Sequence, residues 1–279
     1  MGIIVGVVGT GNMGASLVRG WSRAADAGIS VLVYDVIQER AAELASSDRV
    51  AVAASAGEVA HEAQVVLVAV KPKDVAAVLE DIRGRLGEGS IVVSVAAGVT
   101  VATLRKATGA GPAVFRIMPN LGVELGEGVV AVATEPDTSP EAAAVVGRLL
   151  APLGLVESIP EEQFDAVTAV SGSSIGFLAL VLEGMEDGAV RAGMPRTTAR
   201  AFIRQTVLAG ALLLQRHPGS AADVKDRVSS PAGTTIAGLA TLEDRGVRAA
   251  FVRAIEQAAE RSRCLQDAGR PILGHSNEG

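Results

Sequence analysis

Aromatic residues are scarce in this chain of 279 residues: one Trp, one Tyr and five Phe amount to 3% of it, whereas 49% is hydrophobic. Its interior is therefore expected to be filled by Ala, Val, Leu and Ile, and the length suffices for two domains. The only cysteine, Cys264, excludes an intrachain disulfide and a thiolate metal cluster; an intracellular protein with this thiol buried in a helix is expected. His61, His217 and His275 are scattered, none with a spaced carboxylate or second histidine, so neither a metal site nor a histidine acid–base partner is indicated. Positive charge is not in surplus, with 25 Lys and Arg against 31 Asp and Glu and a formal net charge of −6, which argues against nucleic acid as a partner. The sequence also lacks a signal-like start, a Gly-x-Ser-x-Gly elbow and, by inspection, any apolar run approaching the roughly 20 residues of a membrane span. A soluble, cytoplasmic protein without a membrane partner is the expectation.

What is present divides near Pro160. Before it, short β-branched runs alternate with helical segments: Ile3 to Val8, Val31 to Tyr34, Val65 to Val70, Ile91 to Val95 and Ala113 to Ile117 read as strands. Val and Ile on both faces imply strands covered on both sides, as in a parallel doubly wound sheet of an α/β domain. Val129 to Ala133 and Leu155 to Ser158 flank a helix from Ser139 to Leu149 and extend that sheet. Residues 161–279 read as helices: Glu161 to Val170, Ile175 to Ala192, Pro195 to Arg216 and Thr234 to about Gln266, with a frayed tail from Pro271 to Gly279. Ile175 to Met185 is apolar around most of its circumference, which fits burial in an interleaved helical dimer or, alternatively, at the centre of a monomeric bundle.

Chemistry is concentrated at two ends. Gly9-Thr10-Gly11-Asn12-Met13-Gly14 follows the first strand and opens the amphipathic segment Ala15 to Ala25. Gly9 permits the turn, Gly11 lets a pyrophosphate approach the backbone, and Gly14 lets the helix pack on the strand. Asp35 ends the second strand, where it accepts hydrogen bonds from a ribose diol and repels a 2′-phosphate; this leans slightly to NADH over NADPH, with Arg40 near enough on the next helix to oppose the lean. Lys71-Pro72 after Ala69-Val70, Ala97-Gly98, and Met118-Pro119-Asn120 fall at the same carboxyl edge, where doubly wound sheets bind ligands. Lys71 fits equally well as a solvated strand-end charge.

Far downstream, Val228 to Leu239 forms a small-residue loop with four hydroxyls feeding an apolar helix. Unpaired N–H groups, hydroxyl donors and a positive helix end suit a small carboxylate. Thr234 and Thr235 are alternatively simple helix caps.

These motifs, in this order and over nearly the whole length, resemble the pyrroline-5-carboxylate reductase family: Gly-x-Gly-Asn-Met-Gly, Ala69 to Pro72, Met118 to Asn120 with Gly126-Glu127-Gly128, Ser171-Gly172-Ser173, and Val228 to Pro231 through Gly233 to Ile236. The resemblance implies reduction of a carboxylate-bearing cyclic imine to L-proline with NADH or NADPH, by a homodimer with interleaved C-terminal helices that is sometimes assembled into a decamer. By matching position it implies that Ser230, Gly233, Thr234 and Thr235 hold the substrate carboxylate, with the Thr235 hydroxyl facing the imine nitrogen. A threonine hydroxyl is a weak acid, so Thr235 is read as a hydrogen-bond donor beside water or an already protonated iminium.

The chain departs from the family at the presumed substrate end. Ser174-Ile175-Gly176 replaces Gly-Pro-Ala, Leu121-Gly122 replaces Thr-Pro, Ala232 stands where glycine is usual, and Pro218 to Val224 carries extra residues. A different cyclic imino acid as substrate, or a dinucleotide-sensing protein without turnover, are the competing readings.

Overall fold

The structure, a computed structural model, describes residues 2–24, 28–45 and 48–268. The expected tail from Pro271 and His275 lie outside them. Eight strands form one sheet: β1 (Ile3–Val8), β2 (Ile29–Tyr34), β3 (Val50–Val52), β4 (Val65–Val68), β5 (Ile91–Ser94), β6 (Ala113–Pro119), β7 (Gly128–Thr134) and β8 (Gly154–Ser158). Their order is β3-β2-β1-β4-β5-β6-β7-β8, parallel throughout except between β6 and β7. The strand order reverses between β1 and β4, the crevice at which an open parallel sheet takes a ligand. The three-residue β3, mostly exposed, has too little apolar pattern to be read from sequence.

Between the strands run α1 (Asn12–Arg23), α2 (Gln38–Ala42), α3 (Ala56–Glu62), α4 (Val75–Ile82), α5 (Val101–Thr108) and α6 (Pro140–Leu150). Two cores result, one on each face of the sheet. Leu17, Trp21 and Leu149 from α1 and α6 cover Val5, Val33, Leu67 and Ile117, and the Trp21 indole donates to the Leu149 carbonyl at 2.8 Å. On the other face Val59, Leu79 and Leu104 from α3, α4 and α5 cover Val66, Val92 and Val114. Strands buried on both faces explain the unbroken Val and Ile runs.

The helical part comprises α7 (Phe164–Val167), α8 (Ser174–Arg191), α9 (Arg196–Arg216), α10 (Ala221–Arg227), α11 (Thr234–Asp244) and α12 (Val247–Ala268). By packing, the chain divides later than Pro160. One unit runs to Gly172 and regains the chain from Ala258; the other is Ser173–Gln257. The reason lies in side chains that hold residues 161–172 to the sheet. Arg116, buried in β6, pairs with Glu161 at 2.8 Å and lies 4.5 Å from the centre of the buried Phe164 ring. Glu161 also accepts from the Val101 amide at 2.9 Å, and Ser262 donates to Asp165 at 2.6 Å. The single helix expected from Thr234 to Gln266 is broken at Gly246, whose φ of +68° only glycine adopts easily.

Two further expectations are corrected. Cys264 is exposed on α12 rather than buried; the inward position nearby belongs to Ser262. The helical stretch Glu161–Arg191 is long and apolar enough by length and composition to cross a membrane, although the sequence was expected to hold no such run. Between Asp165 and Glu183 it carries no charge, and Glu183, Glu186 and Asp187 come late. Within the helical unit Glu186 pairs with Arg200 at 3.2 Å, and Asp187 with Arg196 at 2.7 Å.

Candidate active site

The turn after β1 has the geometry its glycines predict. Gly9 has φ of +97°, and a Cβ there would lie 2.7 Å from the Ala69 carbonyl oxygen. A Cβ on Gly14 would collide with the Gly9 carbonyl oxygen. At Gly11, by contrast, an added Cβ meets nothing within 4 Å, and Gly11 caps α1 without any side-chain bond to the helix's first amides. The amides of Asn12, Met13 and Gly14 therefore open onto free space at the positive end of a helix, which suits a pyrophosphate. Met13 contributes its backbone here, because its side chain packs against the core.

Asp35 braces this turn. One carboxylate oxygen accepts from the amide and hydroxyl of Thr10, at 2.7 and 3.1 Å, and the other accepts from the Ile37 amide at 2.9 Å. A cleft of about 520 Å³ beside it joins Gly9, Gly11, Asp35, Ala69, Val70 and Lys71. Arg40 lines both this cleft and a neighbouring one of about 360 Å³ next to Thr10 and Asn12. The reading from sequence missed Ser55, Lys73 and Val78 in the larger cleft. Ser55 was detectable: Ser55-x-x-Glu58 is a helix-start pattern, and its hydroxyl accepts from the Glu58 amide at 3.1 Å. Pro72 opens a short 3-10 turn, Pro72–Asp74, and Lys73 rather than Pro72 reaches the cleft.

Ala97, Gly98, Met118, Pro119 and Asn120 do not line that cleft; they follow β5 or end β6, further along the same carboxyl edge. Ala97 is exposed, and Gly98 turns the chain with φ of +78°. Asn120 is buried with its carboxamide bonded internally, so a direct cofactor contact from that side chain is not what its geometry favours. Another cleft, of about 440 Å³, lies at the opposite edge among Ser90, Arg105 and Glu135. Its glycines, Gly89 and Gly111, lead into β5 and β6 and not into a helix start, and Arg105 is already bonded to Glu135 and to the Gly109 and Pro112 carbonyls.

In the helical unit, the loop before α11 turns through a bond from the Gly233 amide to the Ser230 carbonyl at 3.0 Å. Gly233 is the cap residue of α11, and no side chain caps the helix, so Thr234 and Thr235 are not its caps. A Cβ on Gly233 would collide with the Ser230 hydroxyl oxygen. The first amides of α11, from Thr234 to Ile236, have no partner inside the helix. Ser230 and Thr234 are exposed and Thr235 is half-buried, so hydroxyls and amides stand together at one helix start. Ala232, with φ of +55°, is the one non-glycine residue with positive φ among the described residues.

Comparison with known proteins bears on both ends. Residues 161–265 match the family model for pyrroline-5-carboxylate reductase dimerisation, and residues 4–98 match that for NADP oxidoreductase, coenzyme F420-dependent. The chain is 35% identical over 268 residues to a pyrroline-5-carboxylate reductase of Methanosarcina acetivorans, covering 94% of this chain and 97% of that one. It is 36% identical to the Escherichia coli K12 protein of the same name, again covering 94% and 97%. Among solved structures, a pyrroline-5-carboxylate reductase from Coxiella burnetii is similar with a TM-score of 0.84 at 26% identity, covering 95% of this chain and 99% of that one.

Proposed function

Because this chain belongs to the pyrroline-5-carboxylate reductase family, we propose that it reduces 1-pyrroline-5-carboxylate to L-proline with a reduced nicotinamide dinucleotide. The observation that carries this is the pairing, in one chain, of an open pyrophosphate turn at Gly11 with an uncapped helix start at Gly233 to Thr235. When bound, the dinucleotide supplies the hydride for the imine carbon. Gly9, Gly11 and Gly14 with the amides of residues 12–14 hold its pyrophosphate, and Ala69 to Lys71 line its course along the edge. Thr10 and Asn12 border the adjoining cleft. The sheet edge at Ala97-Gly98 and Met118-Pro119 borders the reacting ring.

The substrate carboxylate is held by the Ser230 hydroxyl and the amides at Gly233 to Thr235, without a lysine or arginine. Thr235 donates a hydrogen bond to the ring nitrogen and orients it. The nitrogen's proton comes from water or arrives with the substrate as iminium, since a threonine hydroxyl is too weak an acid to give its own away readily. Catalysis on this reading rests on holding donor and acceptor carbons close and dry.

Asp35 supports NADH, because its buried charge borders the cleft and opposes a 2′-phosphate. Arg40 is the residue placed to hold such a phosphate, so the two nucleotides are to be compared directly. The apolar surface of α8, with Leu178 and Leu180 at least half exposed, supports a homodimer through the helical unit, from which a decamer is built; a cytoplasmic location accords with this metabolic role. The test is oxidation of NADH and NADPH by the purified chain with the five-membered imine and, in parallel, a six-membered piperideine carboxylate. Turnover of the five-membered ring supports the proposal; turnover of the larger ring alone reassigns the substrate, and tight nucleotide binding without turnover identifies a sensing protein.

A further inference from the structure

Asn120 ties three segments together at the carboxyl edge of the sheet. Its Oδ1 accepts from the amides of Gly122 and Val129, both at 3.1 Å, and its Nδ2 donates to the Ser171 carbonyl at 3.3 Å. Its main chain is held as well: the Asn120 amide donates to the Val129 carbonyl at 3.1 Å, and the Val123 amide donates to the Asn120 carbonyl at 3.2 Å. The residue is 8% exposed, which leaves its carboxamide little access to anything but these partners.

Ser171 lies within a π-helical stretch, Thr168–Ser173, that runs directly into α8. π-helix is rare, is stable only where its surroundings hold it, and recurs at functional sites. Two hydroxyls, Thr168 to the Phe164 carbonyl at 2.8 Å and Ser171 to the Val167 carbonyl at 2.9 Å, bond back along the helix. Asn120 ties the stretch to the sheet. Loss of one residue of register within the stretch would turn the groups after it by about 100° about the axis and take the Ser171 carbonyl off Asn120.

Building on the reductase reading above, we infer that Asn120 is a positioning residue for the reaction: it holds the π register of Thr168–Ser173 against the carboxyl edge of the sheet, which on that reading borders the reacting ring. Asn120 therefore acts on substrate kinetics through Ser171 and not by touching the nucleotide.

Asn120→Asp isolates the contact, because the substituted side chain keeps an acceptor for Gly122 and Val129 but turns a second oxygen toward the Ser171 carbonyl. At alkaline pH the variant is expected to exchange the amide hydrogens of residues 171–175 at least about tenfold faster than wild type and to lose about tenfold in kcat/KM for the imine, the scale of one lost hydrogen bond with repulsion added. Its Kd for the preferred nucleotide stays within about twofold, since the glycine turn is untouched. As pH falls and the new carboxyl gains a proton, it becomes a donor to Ser171, and both exchange and kcat/KM return toward wild type measured at the same pH. Unchanged exchange and kinetics overturn the inference. So does a loss that ignores pH, or a loss of nucleotide affinity in step with activity. Wild type without imine turnover defeats the reductase reading instead, while the exchange measurement still decides whether Asn120 holds the π stretch.

Discussion

Asp35 and Thr10 are joined twice, by bonds from the Thr10 amide and hydroxyl to the same carboxylate oxygen at 2.7 and 3.1 Å, with Asp35 only 7% exposed. The acidic residue at the end of β2 thus shapes the glycine turn as well as charging the cleft. Replacing it removes both effects. Asp35→Ser leaves the Thr10 amide short of its partner, which costs about 1–3 kcal/mol for a buried donor, so both nucleotides bind more weakly. NADH should lose more than NADPH, because the charge opposing a 2′-phosphate has gone. Titration by nucleotide fluorescence checks this, and a wild type that already prefers NADPH by a wide margin refutes the argument for NADH.

Thr235 gives the sharpest test of the substrate end. Gly233 is the first residue of its helix start and no threonine side chain bonds the first amides, so Thr235→Ala should leave folding nearly unchanged. Turnover should fall by something on the order of tenfold to a thousandfold, the scale of one positioned donor, with nucleotide affinity preserved. Steady-state kinetics beside a thermal melt separate the two effects, and an unaltered kcat removes Thr235 from the mechanism.

The position before Gly233 holds strain. An alanine at φ of +55° costs about 1–2 kcal/mol relative to an unstrained conformation. Glycine at 232 removes that cost but gives back about 0.4–1 kcal/mol through a freer unfolded chain, so Ala232→Gly should stabilise by about 0.5–1 kcal/mol. Ala232→Val, which places a branched side chain in the left-handed region, should destabilise. Urea unfolding of both variants decides; a glycine variant less stable than wild type contradicts the strain.

Much of this was readable from the chain itself, for identifiable reasons. Strand β1 was placed to the residue because Ile3–Val8 is rich in Val and Ile and is followed at once by Gly9, and the glycine turn was assignable because Gly9 and Gly14 answer separate steric demands while Gly11 stands clear of the protein. Helix α10 was not legible: Ala221–Arg227 has no apolar periodicity, and its start depends on Ser220 and Asp223 bonding reciprocally. The role of Asn120 was hidden too. Its partner Ser171 is a main-chain carbonyl distant in sequence, and a carbonyl acceptor carries no signature in residue type. Cys264 was misplaced because composition says which residue types are usually buried, not which face of a helix turns inward.

The apolar face of α8 supplies a prediction about assembly. Leu180 is 70% exposed and Leu178 50%, on a helix with no fully buried residue in the single chain. If these side chains are covered by a second copy, Leu180→Glu places a charge in that interface and should convert dimers to monomers by light scattering. On a freely solvated helix the same change would be within about ±0.5 kcal/mol of neutral and would leave the molecular mass alone.

At the edge of the sheet remote from the glycine turn, Arg105 and Glu135 give a pH dependence with a definite sign. The Arg105 Nε lies 2.9 Å from both Glu135 carboxylate oxygens, and Nη1 donates to the Gly109 and Pro112 carbonyls at 2.7 and 2.8 Å. This hydrogen bonding holds the Glu135 carboxyl below its ordinary range and raises the Arg105 guanidinium above its own. A carboxyl depressed on folding contributes stability in full above its unfolded value, near pH 4.3, and loses it as pH falls through the lower folded value. Since both side chains are about a quarter exposed, solvent screening limits the contribution to about 1 kcal/mol. Glu135→Gln should therefore cost about that much in urea unfolding at pH 7, and the gap to wild type should narrow below about pH 4. A gap that stays constant to acid pH would show that Glu135 acts through shape and not through charge. Arg105→Ala should cost more than Glu135→Gln at pH 7 and keep part of its cost in acid, because the Gly109 and Pro112 carbonyls lose their donor whatever the charge on Glu135.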